Sequence, residues 1–433
     1  MVLIFSVLIH SQQCLHIFLI GGVDRRMVFM GVILFSIFFL SIVGSAAYYV
    51  SWRLVGFFHL NQWKKHLIRL GIAFIIVSIP MTITLQRFGF ENSVVDGFSW
   101  IGYIGLGFLS FIFTFMVIRD ISILMIRGYS RLKNRRVVQS KARDQENGIV
   151  PDPSKRGFLI HSVNTGIMTV SGVLTGYGYA NATQIPEVKT VEIPVTDLPE
   201  GLDGFRIVQL TDIHASPTIK RPFIEAVVEQ ANLLQPDMVA LTGDLVDGSV
   251  TRLRDDVAPL SGLKAANGCF FVTGNHEYYS GVDSWVHHVR SLGFQVLLNQ
   301  HHLISREGAR ILVAGVTDYR GGRFDEKHHS DPLKAMKNAP DSDYKILLAH
   351  QPKSIFQAAD AGFDLQISGH THGGQFFPWN FFVGMTQPYI VGLDQYRGTH
   401  IYVSRGTGYW GPPLRLGSPS EITLIKLVKK RSI

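Results

Sequence analysis

The chain has 433 residues, 46% of them hydrophobic, and its mean hydropathy is positive, so it is long enough for two or more domains and too apolar for a wholly soluble protein. Its net charge of +8 is lopsided: residues 1 to 156 carry 17 Lys/Arg against 7 Asp/Glu, and the remainder 24 against 26. The basic excess belongs to the apolar half, which removes the case for nucleic-acid binding, and two distant cysteines, Cys14 and Cys269, argue against a disulfide framework.

In chain order, Met27 to Val50, Leu67 to Leu85 and Trp100 to about Ile118 are nearly uncharged apolar stretches, each long enough for a spanning helix. Residues 1 to 20 are apolar but interrupted by His10, Ser11, Gln12 and Gln13, which fits a poor span, a signal-like extension or a true start at Met27. Residues 127 to 156 read as a basic cytoplasmic linker between a transmembrane region, 1 to 126, and a further transmembrane or signal-like segment, 157 to 182. In that segment Gly172 and Gly176 have a spacing suited to helix packing in lipid, and Asn164 reads as a helix contact. The Lys and Arg residues between 119 and 156, and Arg53, Lys64, Lys65 and Arg69, put their connections on the cytoplasmic side, with Arg87, Glu91 and Asp96 outside. If 157 to 182 spans, residues 183 to 433 emerge on the outer face.

From Thr183 the pattern changes to strand-like runs alternating with amphipathic helices, the signature of a layered α/β domain. Helical spacing covers Ile219 to Gln235, Leu253 to Asn267, Ser284 to Gly293 and Lys353 to Ala361. Five apolar runs each end on a side chain able to bind metal: Phe205 to Leu210 before Asp212 and His214, Met238 to Leu241 before Asp244, Cys269 to Val272 before Asn275, Ile346 to Ala349 before His350, and Leu365 to Ile367 before His370 and His372. As strands of one buried sheet they bring these endings to one rim, where open α/β sheets place ligands.

A ring of Asp212, His214, Asp244, Asn275, His350, His370 and His372, with no Cys, suits two divalent metal ions of the Mn, Fe, Zn or Mg kind. Asp244, with two carboxylate oxygens, is the natural bridge; Asp212, His214 and His372 then complete one ion, and Asn275, His350 and His370 the other. Burying these groups together without a cation carries a large desolvation cost. Such a pair makes a metal-activated hydroxide for in-line attack on phosphorus. His276, beside Asn275, is placed to protonate the leaving group, so His276 and Asn275 are the catalytic candidates, with Glu277 as the candidate to orient the His276 imidazole. Asp247 and Asp318 read as caps or turns, and the pairs His287 and His288, His301 and His302, His328 and His329 as solvated surface.

Asp212-x-His214, Gly243-Asp244, Gly274-Asn275-His276-Glu277, the lone His350 and Gly369-His370-Thr371-His372, in this order and after strands, resemble the calcineurin-like metallophosphoesterases over roughly Phe205 to Glu421. Gly373-Gly374-Gln375, Ser404-Arg405-Gly406 and Pro413-Leu414-Arg415 look most like the membrane-linked bacterial branch. The resemblance implies an α/β fold of α/β/β/α layers, two facing β-sheets flanked by helices, over 183 to 433. It also implies a dinuclear phosphoesterase acting on a phosphodiester or phosphomonoester; with the apolar spans and the charged connections, the expectation is a membrane-anchored protein, multi-pass in a bacterial cytoplasmic membrane with the catalytic domain on the outer face. Phospholipid and nucleotide-lipid are the substrates in view, and no nucleic-acid partner is expected. One alternative is a UDP-2,3-diacylglucosamine-type lipid pyrophosphatase, opposed by the cytosolic location of that nucleotide. Another is a catalytically silent membrane sensor or scaffold, opposed by a ligand set with no member missing. The loops Thr317 to Asp331 and Pro378 to Gln395 are the expected substrate walls.

Overall fold

A computed structural model describes residues 25–55, 61–90, 92–138 and 153–430. The apolar segment 1 to 20, and residues 139 to 152 of the basic stretch, lie outside the described residues. The described chain begins with helices α1 (Arg25–Val55), α2 (Gln62–Arg87), α3 (Ser93–Val138) and α4 (Pro153–Thr183). Each is long and apolar enough to cross a membrane. They outrun the apolar stretches because their flanks are rich in good helix formers; α3 runs on through Arg127, Arg131 and Lys133.

Small residues let α2 and α3 approach. A Cβ on Gly102 would meet Ile79 Cγ1 at 2.9 Å, and one on Gly105 would meet Ile75 Cγ1 at 2.9 Å. Gly172 and Gly176 meet no other helix among the described residues, since a Cβ on either would find no atom of one within 4 Å. Asn164 is a helix contact: it is fully buried, and Arg119 Nη1 donates to its Oδ1. Arg119 also donates to Asp120 Oδ1 at 2.7 and 2.9 Å, while Tyr49 Oη donates to Asp120 Oδ2 at 2.8 Å and Arg53 pairs with the same carboxylate. One network of charges and hydrogen bonds thus joins α1, α3 and α4, the arrangement by which ionisable groups are tolerated among apolar helices.

Twelve strands follow: β1 (Glu187–Val195), β2 (Arg206–Leu210), β3 (Met238–Leu241), β4 (Cys269–Phe271), β5 (Gln295–Val296), β6 (Gln300–Arg306), β7 (Ala309–Gly315), β8 (Tyr344–Leu348), β9 (Leu365–Ser368), β10 (Gly392–Tyr396), β11 (Thr399–Val403) and β12 (Glu421–Lys429). They form two mixed six-stranded sheets, ordered β1-β12-β2-β3-β4-β5 and β10-β11-β9-β8-β7-β6. The five ligand-bearing runs are therefore divided, with β2, β3 and β4 in one sheet and β8 and β9 in the other, rather than sharing a single sheet. Each of the five has a parallel neighbour, β2 also pairing antiparallel with β12, and all are largely buried, so they read alike in sequence whichever sheet holds them.

Alternation along each strand divides the core. Ile207, Met238 and Ala240 meet Ile311, Val313, Ile346 and Ile367 between the sheets. Val208, Leu210, Val239 and Leu241 face outward beneath helices α5 (Arg221–Leu233), α6 (Val250–Val257) and α8 (Val282–Ser291), the short α7 (Asn275–Ser280) lying between the last two. The other sheet's outer face, Ala314 and Leu347, is covered by α9 (Pro332–Met336) and α10 (Ile355–Asp360). In α5 the buried residues Ile224, Val227, Val228 and Ala231 keep helical spacing, and each large apolar side chain so buried contributes about 1.5–3 kcal/mol.

The α/β domain packs directly on the helices. Asp96 of α3 pairs with Arg252 at 2.8 Å and Lys220 at 3.3 Å. A Cβ on Gly107 would collide with Leu414, and one on Gly178 would touch it at 3.3 Å.

Candidate metal centre

The strand ends of both sheets converge on one rim. Asp212 and His214 follow β2, Asp244 follows β3, Asn275 and His276 begin α7 after β4, His350 follows β8, and His370 and His372 follow β9. Asp212, His214, Asp244, His370 and His372 all have left-handed backbone, with φ between 50° and 73°. That conformation costs non-glycine residues about 1–3 kcal/mol each. Its concentration at these turns marks a site whose side-chain directions are imposed by the fold. Backbone bonds lock the turns together: Asp212 N donates to Gly243 O at 3.0 Å and His214 N to Asp244 O at 3.1 Å. Gly243, at φ 89°, permits a close approach, because a Cβ there would meet Gly274 Cα at 2.8 Å and His350 Nδ1 at 2.9 Å.

Asp244 Oδ2 lies 3.0 Å from His350 Nε2 and 3.9 Å from both His214 Nε2 and His276 Nε2. Asp212 Oδ1 lies 3.4 Å from His372 Nε2 and 4.0 Å from His214 Nε2, and those two imidazole nitrogens are 3.1 Å apart. His370 Nδ1 and His350 Nε2 are 3.2 Å apart. Three compact groups result, Asp212 with His214 and His372, Asp244 with His350 and His370, and His214 with Asp247 and His276. Asn275 lines the same cleft as His214, Asp244, His276, His370 and His372. All seven candidate ligands are thereby brought to one rim.

The donor set fits cations. His350 Nδ1 donates to Thr242 O at 2.8 Å, so its Nε2, 3.0 Å from Asp244 Oδ2, is the nitrogen that carries a proton here and that a metal would claim in its place. A carboxylate oxygen and an imidazole nitrogen this close need a positive charge between them, a proton or a metal cation. Asn275 Oδ1 is buried without a hydrogen-bond partner, another acceptor awaiting a positive group. The electrostatics carry the same message. Burial opposes charging His350, yet Asp244, Asp212 and Asp318 outweigh it and push its pKa up to about 10. Burial, with neighbouring His350 and Arg415 respectively, holds His370 and His372 well below the usual range, so these two are neutral ligands in waiting.

Asp247, read from sequence as a turn residue, organises the second half of the site. Its carboxylate binds His276 Nδ1 through Oδ1 and lies 3.2 Å from His214 Nδ1 through Oδ2. Both imidazoles therefore present Nε2 toward Asp244. Burial works against charge on His276, but Asp247 and Asp244 prevail and raise its pKa to about 9. Glu277 does not orient that imidazole. It accepts from the backbone N–H groups of Asp244 at 3.0 Å, Leu245 at 2.7 Å and Gly274 at 2.6 Å, stapling the β3 turn to α7, while burial lifts its pKa to about 7. Asp318 does turn the chain, accepting from Arg320 N at 2.9 Å, and it also receives Gln351 Nε2 at 2.9 Å. His301 and His328 are partnered rather than solvated, by Ala335 O at 2.7 Å and Tyr278 Oη at 2.9 Å.

Arg415 is the other residue whose role sequence reasoning left unassigned. It is buried, with Nη1 donating to His372 O at 3.0 Å and Arg405 O at 2.8 Å, and Nη2 lying 3.0 Å from His372 Nδ1. Its own N–H donates to Gly178 O at 2.9 Å, so one residue ties the rim to α4. Both expected wall loops reach the cleft, through Arg320 from one and through Trp379, Phe382, Val383, Thr386 and Gln387 from the other.

Comparison with known proteins agrees with this geometry. The family model described as Calcineurin-like phosphoesterase matches residues 205–374. A Danio rerio transmembrane protein with metallophosphoesterase domain is 41% identical over 268 residues, covering 60% of this chain and 61% of that protein. This chain thus spans about three fifths of that relative's length. An uncharacterized metallophosphoesterase of Helicobacter pylori strain J99 is 37% identical over 284 residues, 64% of this chain and 74% of its own. A third, from Aquifex aeolicus, is 33% identical over 269 residues, 61% of this chain and 99% of its own. Relatives matched over most of their length, with the rim motifs inside the matched segment, lead to one assignment: this chain belongs to the calcineurin-like metallophosphoesterase family.

Proposed function

We propose that this protein is a membrane-anchored, metal-dependent phosphoesterase whose rim holds two divalent cations, Asp212, His214 and His372 on one, Asn275, His350 and His370 on the other, with Asp244 between them. The observation that carries this reading is the position of Asp244 Oδ2, within 3.9 Å of imidazole nitrogens from three separate segments. When bound, such cations supply an activated water as nucleophile and offset charge on the phosphoryl oxygens. The chain's own residues do the rest. Asp247 holds the His276 ring by Nδ1, leaving Nε2 to give its proton to the departing alkoxide as the ester P–O bond breaks. Buried walls around Asp244 and His350 keep bulk water from screening these charges.

The basic excess of residues 1 to 156 supports a multi-pass arrangement with the charged connections in the cytoplasm and the α/β domain on the outer face. The complete ligand set speaks against a silent scaffold. Turnover of bis-p-nitrophenyl phosphate by the full-length protein with Mn or Zn tests the activity. Hydrolysis that persists undiminished in His276→Ala and Asp244→Ala contradicts it. A reporter fused after Ala182 tests the side of the membrane.

A further inference from the structure

The cleft over the rim has a second, apolar pole. It encloses about 1120 Å³ out to its open mouth, and one wall consists of Phe376, Trp379, Phe382 and Val383. A small hydrophilic phosphoester has nothing to place against four such side chains. The same segment is seated on the apolar helices: the Phe376 ring lies 5.9 Å from Phe111 and the Phe377 ring 6.1 Å from Phe115, both on α3. Phe111, Phe376, Trp379 and Leu414 form one buried cluster, with Phe115 and Phe382 packed on it, so the cleft wall and the apolar helices share a continuous surface. On the outside of this segment Phe381 and Met385 are 69% and 70% exposed. Beside a helix of membrane-crossing composition, large exposed apolar side chains meet hydrocarbon rather than water.

We propose that the cleft takes a lipid phosphoester resident in the bilayer. Its phosphoryl group lies at the rim and its apolar chain against Phe376, Trp379, Phe382 and Val383, entering sideways past Phe381 and Met385. This names the substrate class of the site and rests on the phosphoesterase reading. Arg320, at the same cleft, supplies a cation for the phosphate on the polar side.

The test is a homologous series of p-nitrophenyl alkyl phosphodiesters, methyl to hexyl and below their micellar concentrations. It uses the full-length protein in nanodiscs with Mn, and bis-p-nitrophenyl phosphate as chain-free reference. The inference predicts that kcat/KM rises about two- to fourfold per added methylene. Val383→Asp, or the milder Val383→Ser should the aspartate variant not fold, is expected to flatten that rise. A flat wild-type series with normal turnover of the methyl ester overturns the lipid inference and leaves the phosphoesterase reading intact. A rise that persists unchanged in the Val383 variants reports partitioning into the disc and overturns the assigned wall. No turnover of any ester, the reference included, sinks the phosphoesterase reading itself.

Discussion

In α1 to α4 most positions ask only for an apolar side chain of suitable size, and the chain's hydrophobic content meets that demand locally, one helix at a time. The rim asks for the opposite: Asp212, Asp244, His370 and His372 stand at fixed points, most of them far apart in sequence, on turns that hold left-handed backbone. The two regions also handle charge differently. Asp120 among the helices is met by Arg53, Arg119 and Tyr49, whereas the rim carboxylates are met by imidazoles, and Asn275 Oδ1 beside them has no hydrogen-bond partner. A carboxylate met by fixed cations is a structural device. One met by imidazoles, which can exchange a proton for a metal, can take a cation from outside.

That contrast can be broken most severely at the rim. Asp244→Asn removes a charge both groups use, so kcat should fall by on the order of 10³-fold, the several kcal/mol that metal activation supplies. Steady-state turnover of bis-p-nitrophenyl phosphate checks this. His276→Ala should cost roughly 10²–10⁴ in kcat with KM little changed if it donates the leaving-group proton. Asp247→Asn leaves every candidate ligand in place but frees both imidazoles, and a loss of roughly 10–100-fold, in kcat and in metal affinity, is expected.

Where rim and helices meet, Gly107→Leu should drive a side chain into Leu414 and displace Arg415 from His372. Overpacking of this kind costs about 1–3 kcal/mol, read as a lower thermal midpoint. The smallest effect is expected inside the bundle. Asn164→Leu removes the α4 partner of Arg119, worth about 0.6 kcal/mol by the average for hydrogen bonds between membrane helices. A larger loss there than at Gly107 would mean that the polar network, not the docking surface, holds the two regions together.

The same contrast explains what could be read without coordinates. The ligand positions were legible because each carries chemistry in its residue type and follows a buried strand. Their division between two sheets was not, because β3 and β9 are both buried throughout and neither has a solvent-facing side that marks its sheet. Asp247 looked like any aspartate after a turn; only the fold brings it to His214 and His276, whose segments lie on either side of it in sequence. Arg415 stands in the Pro413-Leu414-Arg415 motif, but its role was not legible there, since its partners His372 O and Gly178 O are distant backbone atoms. Glycine spacing is a weak guide to contacts within the chain for a related reason. Gly172 and Gly176 have the right period, but contact depends on which face of α4 meets a neighbour, and that face carries Gly178.

Metal content of the purified full-length protein, compared with that of Asp244→Asn and read by elemental mass spectrometry after dialysis against metal-free buffer, probes the rim most directly. The account predicts about two divalent equivalents per wild-type chain and a clear deficit in the variant. Equal content in both, or none in a wild-type protein that still hydrolyses phosphoesters, would contradict it.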